Sequence, residues 1–215
     1  MVLLLLAQLL LPRIAAQRLR SELERYGVVR SVSISAFPAI ELLWGEAQSA
    51  TMSAASIRMS PTQANELLWK ARGVRLVDMR TASLHVGSFT LHDVIWRKRG
   101  DQLYMSGKLT EADLRASLPG STGFALLGSS SEGIDMRVSG SFFGVASSVD
   151  VRLGAIEGKL VAQPVGVPFG GFVKVMLLSA PHMYVQSIGL ANSPSAGAGA
   201  SADPAYEVSI AARLR

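Results

Sequence analysis

Apolar and polar positions alternate along this chain in three rhythms. The first is a block: Val2 to Leu11 reads VLLLLAQLLL, interrupted only by Gln8, and Pro12-Arg13 is expected to end it. A helical spacing follows, with Ile14, Leu19, Leu23 and Tyr26 recurring among Arg18, Arg20, Glu22, Glu24 and Arg25. That spacing predicts an amphipathic helix over Ala15 to Tyr26, with Gly27 as its C-cap. Period two then takes over. Val28, Arg30, Val32 and Ile34 alternate with Val29, Ser31, Ser33 and Ser35, as in a strand with one buried face, and Phe37-Pro38 interrupts it.

Ala39 to Trp44 reads as a short apolar turn or helix closed by Gly45, and Gln48 to Met59 as a weakly patterned strand. Val74 to Val86 and Ser88 to Arg99 flank Gly87 like a hairpin, and Gln102 to Leu109 follows the Gly100-Asp101 turn. Further strands are expected over Arg137 to Phe142, Val145 to Leu153, Lys159 to Gln163, Tyr184 to Leu190 and Tyr206 to Leu214, with a low-complexity loop between the last two. Two helices interrupt them. Ser60-Pro61-Thr62-Gln63 fits a capping box that starts a helix over Thr62 to Lys70, burying Leu67, Leu68 and Trp69. Thr110 to Asp113 starts a second, ending before Pro119, with Leu114 and Leu118 on one side. No parallel strand–helix–strand alternation is evident, so the fold class is α+β, mostly antiparallel.

Composition narrows the function. With 215 residues, 49% apolar and 17% charged, the chain has material for a core and is too weakly charged for disorder. We expect a single domain over residues 13–215 behind an apolar segment over 1–12. The absence of Cys removes thiolate nucleophiles, thiolate zinc sites, iron–sulfur clusters and disulfides. Net charge is +5, yet Arg13, Arg18, Arg20, Arg25 and Arg30 crowd the first 30 residues beside the apolar block. A nucleic-acid binder would spread its base over the folded body, so anionic lipid is the better partner and no nucleic acid is expected.

Ten apolar residues rise about 15 Å as a helix, half of a ~30 Å bilayer core, so the block as written cannot span a membrane. It reads as a signal-peptide core or as the end of an anchor whose earlier residues precede Met1. Either reading places the body outside the cytoplasmic membrane, and the favoured one, with the apolar run kept as an anchor, tethers it there through the N-terminus. Arg13 and Arg18 oppose this under the positive-inside rule unless a more basic segment lies upstream.

Catalytic patterns are missing. Gly128 to Gly133 lacks the spacing of a nucleophile elbow and reads as a turn, and no phosphate-cradling glycine loop follows a strand. His85, His92 and Asp93 are the nearest approach to a metal cluster, but two strand histidines without a third ligand are ordinary hydrogen-bonding residues. The carboxylates form no acid/base pair. No cofactor and no enzyme activity are therefore expected. What remains is apolar surplus, in Ala39 to Trp44, Leu67 to Trp69 and Phe169 to Leu178, which suits either core or a greasy groove.

The order of these pieces carries a resemblance. A Leu-rich start, an Ala/Arg helix, VSISAFPAIELLWGE over Val32 to Glu46 and TEADLRASLPG over Thr110 to Gly120 are followed by the Arg137 to Leu153 hairpin and the closing strand Tyr206 to Leu214. Together they resemble the LmeA-like phospholipid-binding family of bacterial cell envelopes. Ala36 stands where that family more often has Gly, and the Ser60 to Trp69 helix looks like an addition.

The resemblance implies a tubular lipid-binding fold: a long, curved antiparallel sheet wrapped on the N-terminal helix and short helices, with phospholipid as partner in the periplasm or cell-wall space. Acyl chains would then contact Phe37, Ile40, Leu43, Trp44, Leu68, Phe172 and Met176. Arg97 and Arg99, within the basic group that also holds Arg72, Arg75 and Lys98, are the head-group candidates, although a solvated strand edge explains the same charges. An envelope scaffold without lipid cargo is the alternative function.

Overall fold

A computed structural model describes residues 2–37, 42, 46–117, 121–130, 133–142, 145–166, 174–178, 181–192 and 205–214; of these, the side chains of residues 2–9, 142, 145, 146, 177 and 178 are not described. The elements are α1 (Val2–Leu23), β1 (Gly27–Ser35), β2 (Ala47–Met59), α2 (Pro61–Lys70), β3 (Val74–Val86), β4 (Phe89–Arg99), β5 (Gln102–Thr110), α3 (Glu111–Ser117), β6 (Ser121–Ser130), β7 (Gly133–Phe142), β8 (Val145–Ile156), β9 (Lys159–Val165), β10 (Val175–Leu178), β11 (Met183–Asn192) and β12 (Ala205–Leu214). They make a seven-stranded sheet, β1-β2-β3-β4-β5-β12-β11, and a five-stranded one, β10-β9-β8-β7-β6. Strands dominate and most pairs are antiparallel, as the period-two patterning leads one to expect.

Tertiary contacts divide the chain into two compact units. The first holds residues 1–87, 92–105 and 214, hence α1, β1, β2, α2, β3 and most of β4. Here the strand order contains one parallel pair, β2 with β3, which the antiparallel expectation lacked. Its cause is local. Ser60 ends β2 and caps α2, its hydroxyl accepting from the Gln63 amide at 3.2 Å while the Gln63 side chain accepts from the Ser60 amide at 2.8 Å. With the 3-10 turn Ala71–Gly73, α2 supplies the dozen or so residues a parallel crossover needs. The helix is therefore a connector rather than an insertion, and none of its residues is fully buried.

The second unit holds residues 88–91, 106–213 and 215. Its core is Leu109, Leu114, Phe124, Ile134, Met136, Leu160, Ile188, Leu190, Tyr206 and Val208, contributed by β5, α3, β6, β7, β9, β11 and β12. Tyr206 donates to the Phe124 carbonyl at 3.4 Å, and its burial pushes the phenol pKa up, with Glu111 adding to the effect. The opposite face of β7 and β8 is marked by two register partners that are also bidentate ion pairs. Arg137 grips Asp150 at 2.6 and 2.9 Å, and Arg152 grips Asp135 at 2.7 and 3.0 Å. Each arginine holds its carboxylate below the ordinary aspartate range.

Several local expectations change. Pro12 does not end the first helix, because its ring imposes a helix-compatible φ and costs one hydrogen bond, so α1 runs unbroken from Val2 to Leu23. Gly27 is not a C-cap but the first residue of β1, where a Cβ would land on the Ser56 carbonyl of β2. Gly128, Ser129 and Ser130 are strand residues of β6, not a turn. The loop expected before β12 and the Leu118 contact of the second helix lie outside the described residues. The glycine at 27 can be tested: Gly27→Ala should destabilise the fold by about 2 kcal/mol through backbone overlap, read as a lower denaturation midpoint at unchanged m-value. A midpoint equal to wild type would contradict the close approach.

Candidate functional site

The register of unit 1 sorts its side chains into two unlike faces. Val32 of β1 stands beside Met52 of β2, which stands beside Met79 of β3; the neighbouring rows are Ile34, Ala50 and Val77, and Val29, Ala54 and Thr81. Strand alternation puts the β2 and β3 members on one face, and the register shift of β1 between Val29 and Ser31 brings Val29 to the same side as Val32 and Ile34. The other face carries Ser33, Thr51 and Asp78, then Ser31, Ser53 and Arg80. Met52, Ala54, Met79 and Thr81 are buried, whereas Ser31, Ser33, Thr51 and Arg80 are exposed. The Thr81 hydroxyl donates to the Ser83 carbonyl at 2.9 Å, so its polarity is satisfied locally.

β4 extends the same sorting. Arg97 reaches Asp78 at 3.5 Å and so stands on the polar face, where Arg80 also lies 3.5 Å from Asp78. Val94, Trp96 and Lys98 alternate with it and face the apolar side. Val94 is buried and Trp96 half-buried. A face built from alanine, valine and flexible, polarizable methionine is apolar and adaptable in shape.

Lys98 is the exception on that face, a cation only 3% exposed. Its Nζ donates to the Val74 carbonyl and, at 3.4 Å, to that of Arg72, tying the start of β3 to the end of β4. Burial lowers its pKa from the ordinary lysine value of 10.5, and Asp101 partly offsets this. Beside this clamp, the Arg72 guanidinium lies 4.5 Å over the ring of Trp69, which is exposed where burial was expected; Leu67 and Leu68 are half-buried.

The remaining candidates fall as follows. Phe37 is 71% exposed just past β1, its carbonyl accepting from Gln48 Nε2 at 3.1 Å. Leu68 is on α2 in the same unit, and Met176 is exposed on β10 in unit 2, opposite Val161. Ile40, Leu43, Trp44 and Phe172 lie outside the described residues. Arg99 is exposed at the end of β4. The Met52/Met79 face itself was missed: its residues were legible as alternation, but their pairing was not. An open hollow against α1 is lined by Ile14, Gln17, Arg18, Ser21, Glu22 and Arg25, which join apolar side-chain stems to polar and charged tips. Among the described residues no helix is long and apolar enough to cross a membrane, and no three His, Asp or Glu side chains gather as a metal site.

A family model described as LmeA-like phospholipid-binding matches residues 3–180. The chain belongs to that family. No curated protein and no solved structure matches it. Membership in the LmeA-like family makes phospholipid its ligand class.

The buried lysine has a measurable consequence. Its folded-state pKa lies below the unfolded value, so between the two the unfolded state binds more protons and stability rises with pH, levelling above 10.5. Wild type should therefore gain stability relative to Lys98→Met as pH climbs toward 10.5, with the two differing by no more than about 2 kcal/mol at neutral pH. Parallel stability curves from pH 8 to about 10.5 would contradict the burial of a titrating amine.

Proposed function

We propose that this LmeA-like protein is a non-enzymatic phospholipid carrier of the bacterial cell envelope, holding acyl chains against the apolar face of unit 1. The observation that supports it most is the grouping, over the middle rows of the sheet, of Met52, Met79, Ala50, Val77, Val32 and Ile34 on one face opposite Ser31, Ser33, Thr51, Ser53, Asp78 and Arg80. Phe37, Leu68 and the sequence neighbours Ile40, Leu43 and Trp44 are included as chain-contacting groups of unit 1, and Phe172 and Met176 as those of unit 2. A carrier needs no catalytic group.

Tethering to the membrane surface through residues 1–12, with the body on the extracytoplasmic side, belongs to the same proposal. Leu10 and Ile14 are both about half exposed on α1 and one turn apart, while Arg13, Arg18 and Arg25 are exposed beside them. Each such cation near an anionic surface contributes up to about 1 kcal/mol.

Organic extraction of the purified protein followed by mass spectrometry tests the carrier reading. Near-stoichiometric phospholipid is expected, and Ala50→Phe, which crowds a half-buried position of the apolar face, should lower it several-fold at unchanged circular dichroism. Thr51→Val, on the polar face, should leave it unchanged. Protein that is empty and takes no lipid from vesicles would favour the envelope-scaffold alternative.

A further inference from the structure

The apolar face of unit 1 has a polar end. The β2–β3 register steps from Ala47 beside Val74 to Ser49 beside Leu76, which sets Gln48 beside Arg75. Alternation places that pair on the same face as Ala50, Val77, Met52 and Met79. Arg75 is exposed, and its carbonyl accepts from the Gly100 amide at 2.9 Å, so it sits against the turn after β4. Lys98, two residues before that turn, faces the same side and is buried, with its amine held at the carbonyls of Arg72 and Val74. Two cations thus mark the β3-start end of the apolar Ala50–Val77 and Met52–Met79 rows; past Ala54 and Thr81 the same face carries Ser56 and Ser83, then Arg58 and His85. From Arg75 to Thr81 the strand rises about 20 Å, enough for the apolar layer of one bilayer leaflet at about 15 Å.

Resting on the carrier reading above, we infer that Arg75 and Lys98 bind the phosphate of the bound phospholipid, with its acyl chains running from there along the Ala50–Val77 and Met52–Met79 rows. Arg97 is turned away from this end, on the polar face with Asp78 and Arg80. Arg99 alternates with Lys98 and follows Arg97. Arginine offers a phosphate a two-pronged set of donors, and a lysine out of water strengthens the attraction, so the pair selects for the phosphate itself whatever alcohol it carries.

The test compares uptake from vesicles of phosphatidylglycerol and of diacylglycerol with the same chains. Wild type should prefer phosphatidylglycerol by about tenfold or more, and Arg75→Gln and Lys98→Met should each lose most of that preference while still taking up diacylglycerol. Arg97→Gln should keep it. Arg75 is exposed, so Arg75→Gln alone decides the matter if Lys98→Met fails to fold. An Arg75→Gln variant with the wild-type preference, or a loss in Arg97→Gln instead, would overturn the head-group assignment and leave the carrier reading intact. Displacement of phosphatidylglycerol by excess inorganic phosphate would reassign the pair to free phosphate and overturn it as well. Wild type that takes up neither lipid would defeat the carrier reading and this inference with it.

Discussion

The parallel register of β2 and β3 governs what unit 1 offers to a ligand. Met52 stands beside Met79 and Ala50 beside Val77 only because the two strands run in step. A slip of one residue would carry Ser53 and Thr51 to the methionine side and bring Met52 among charges, since side chains alternate between faces at every position. The register is held at both ends. The capping box at Ser60 sets where the crossover begins, and the Lys98 amine, bound to the Arg72 and Val74 carbonyls, sets where β3 starts. Gly27 lets β1 close on β2 with its own rows aligned.

The same register allots the charges. A lysine buried on an apolar face is costly, and the Arg72 and Val74 carbonyls together with the charge of Asp101 offset part of that cost. The exposed charges of β3 and β4 are spent otherwise. Asp78 lies between Arg80 and Arg97, a surface cluster that adds little stability but keeps the polar face wet. Unit 2 uses charge in a third way, with paired arginine–aspartate forks lying across register partners of β7 and β8.

Much of this was legible in the sequence, and the exceptions have physical causes. Hairpins around Gly87 and Gly100-Asp101 were readable because the turns need left-handed backbone, which Gly87 and Gly100 adopt. The capping box announced α2 in the same manner. Alternation, however, says which residues share a face and is silent on strand direction, so the parallel pair stayed hidden. β6 was unreadable because Gly123, Gly128, Ser129 and Ser130 lack strand propensity and are set in place by pairing with β7. On the candidate site, apolar surplus was legible in the sequence, whereas the Met52–Met79 and Ala50–Val77 rows were not, because strand pairing is not written in it. Arg97, Lys98 and Arg99 were grouped as one basic patch because β4 carries apolar residues on both faces, Ile95 on one side and Val94 and Trp96 on the other, which conceals the direction of each cation.

The claim on which the account turns is that acyl chains lie against the Met52 and Met79 rows of unit 1. Methyl NMR of protein labelled with carbon-13 at its eight methionines, loaded with phospholipid bearing a nitroxide on the acyl chain, reads that contact directly. Strong paramagnetic broadening of Met52 and Met79 is predicted. Sharp Met52 and Met79 signals in lipid-loaded protein would contradict it.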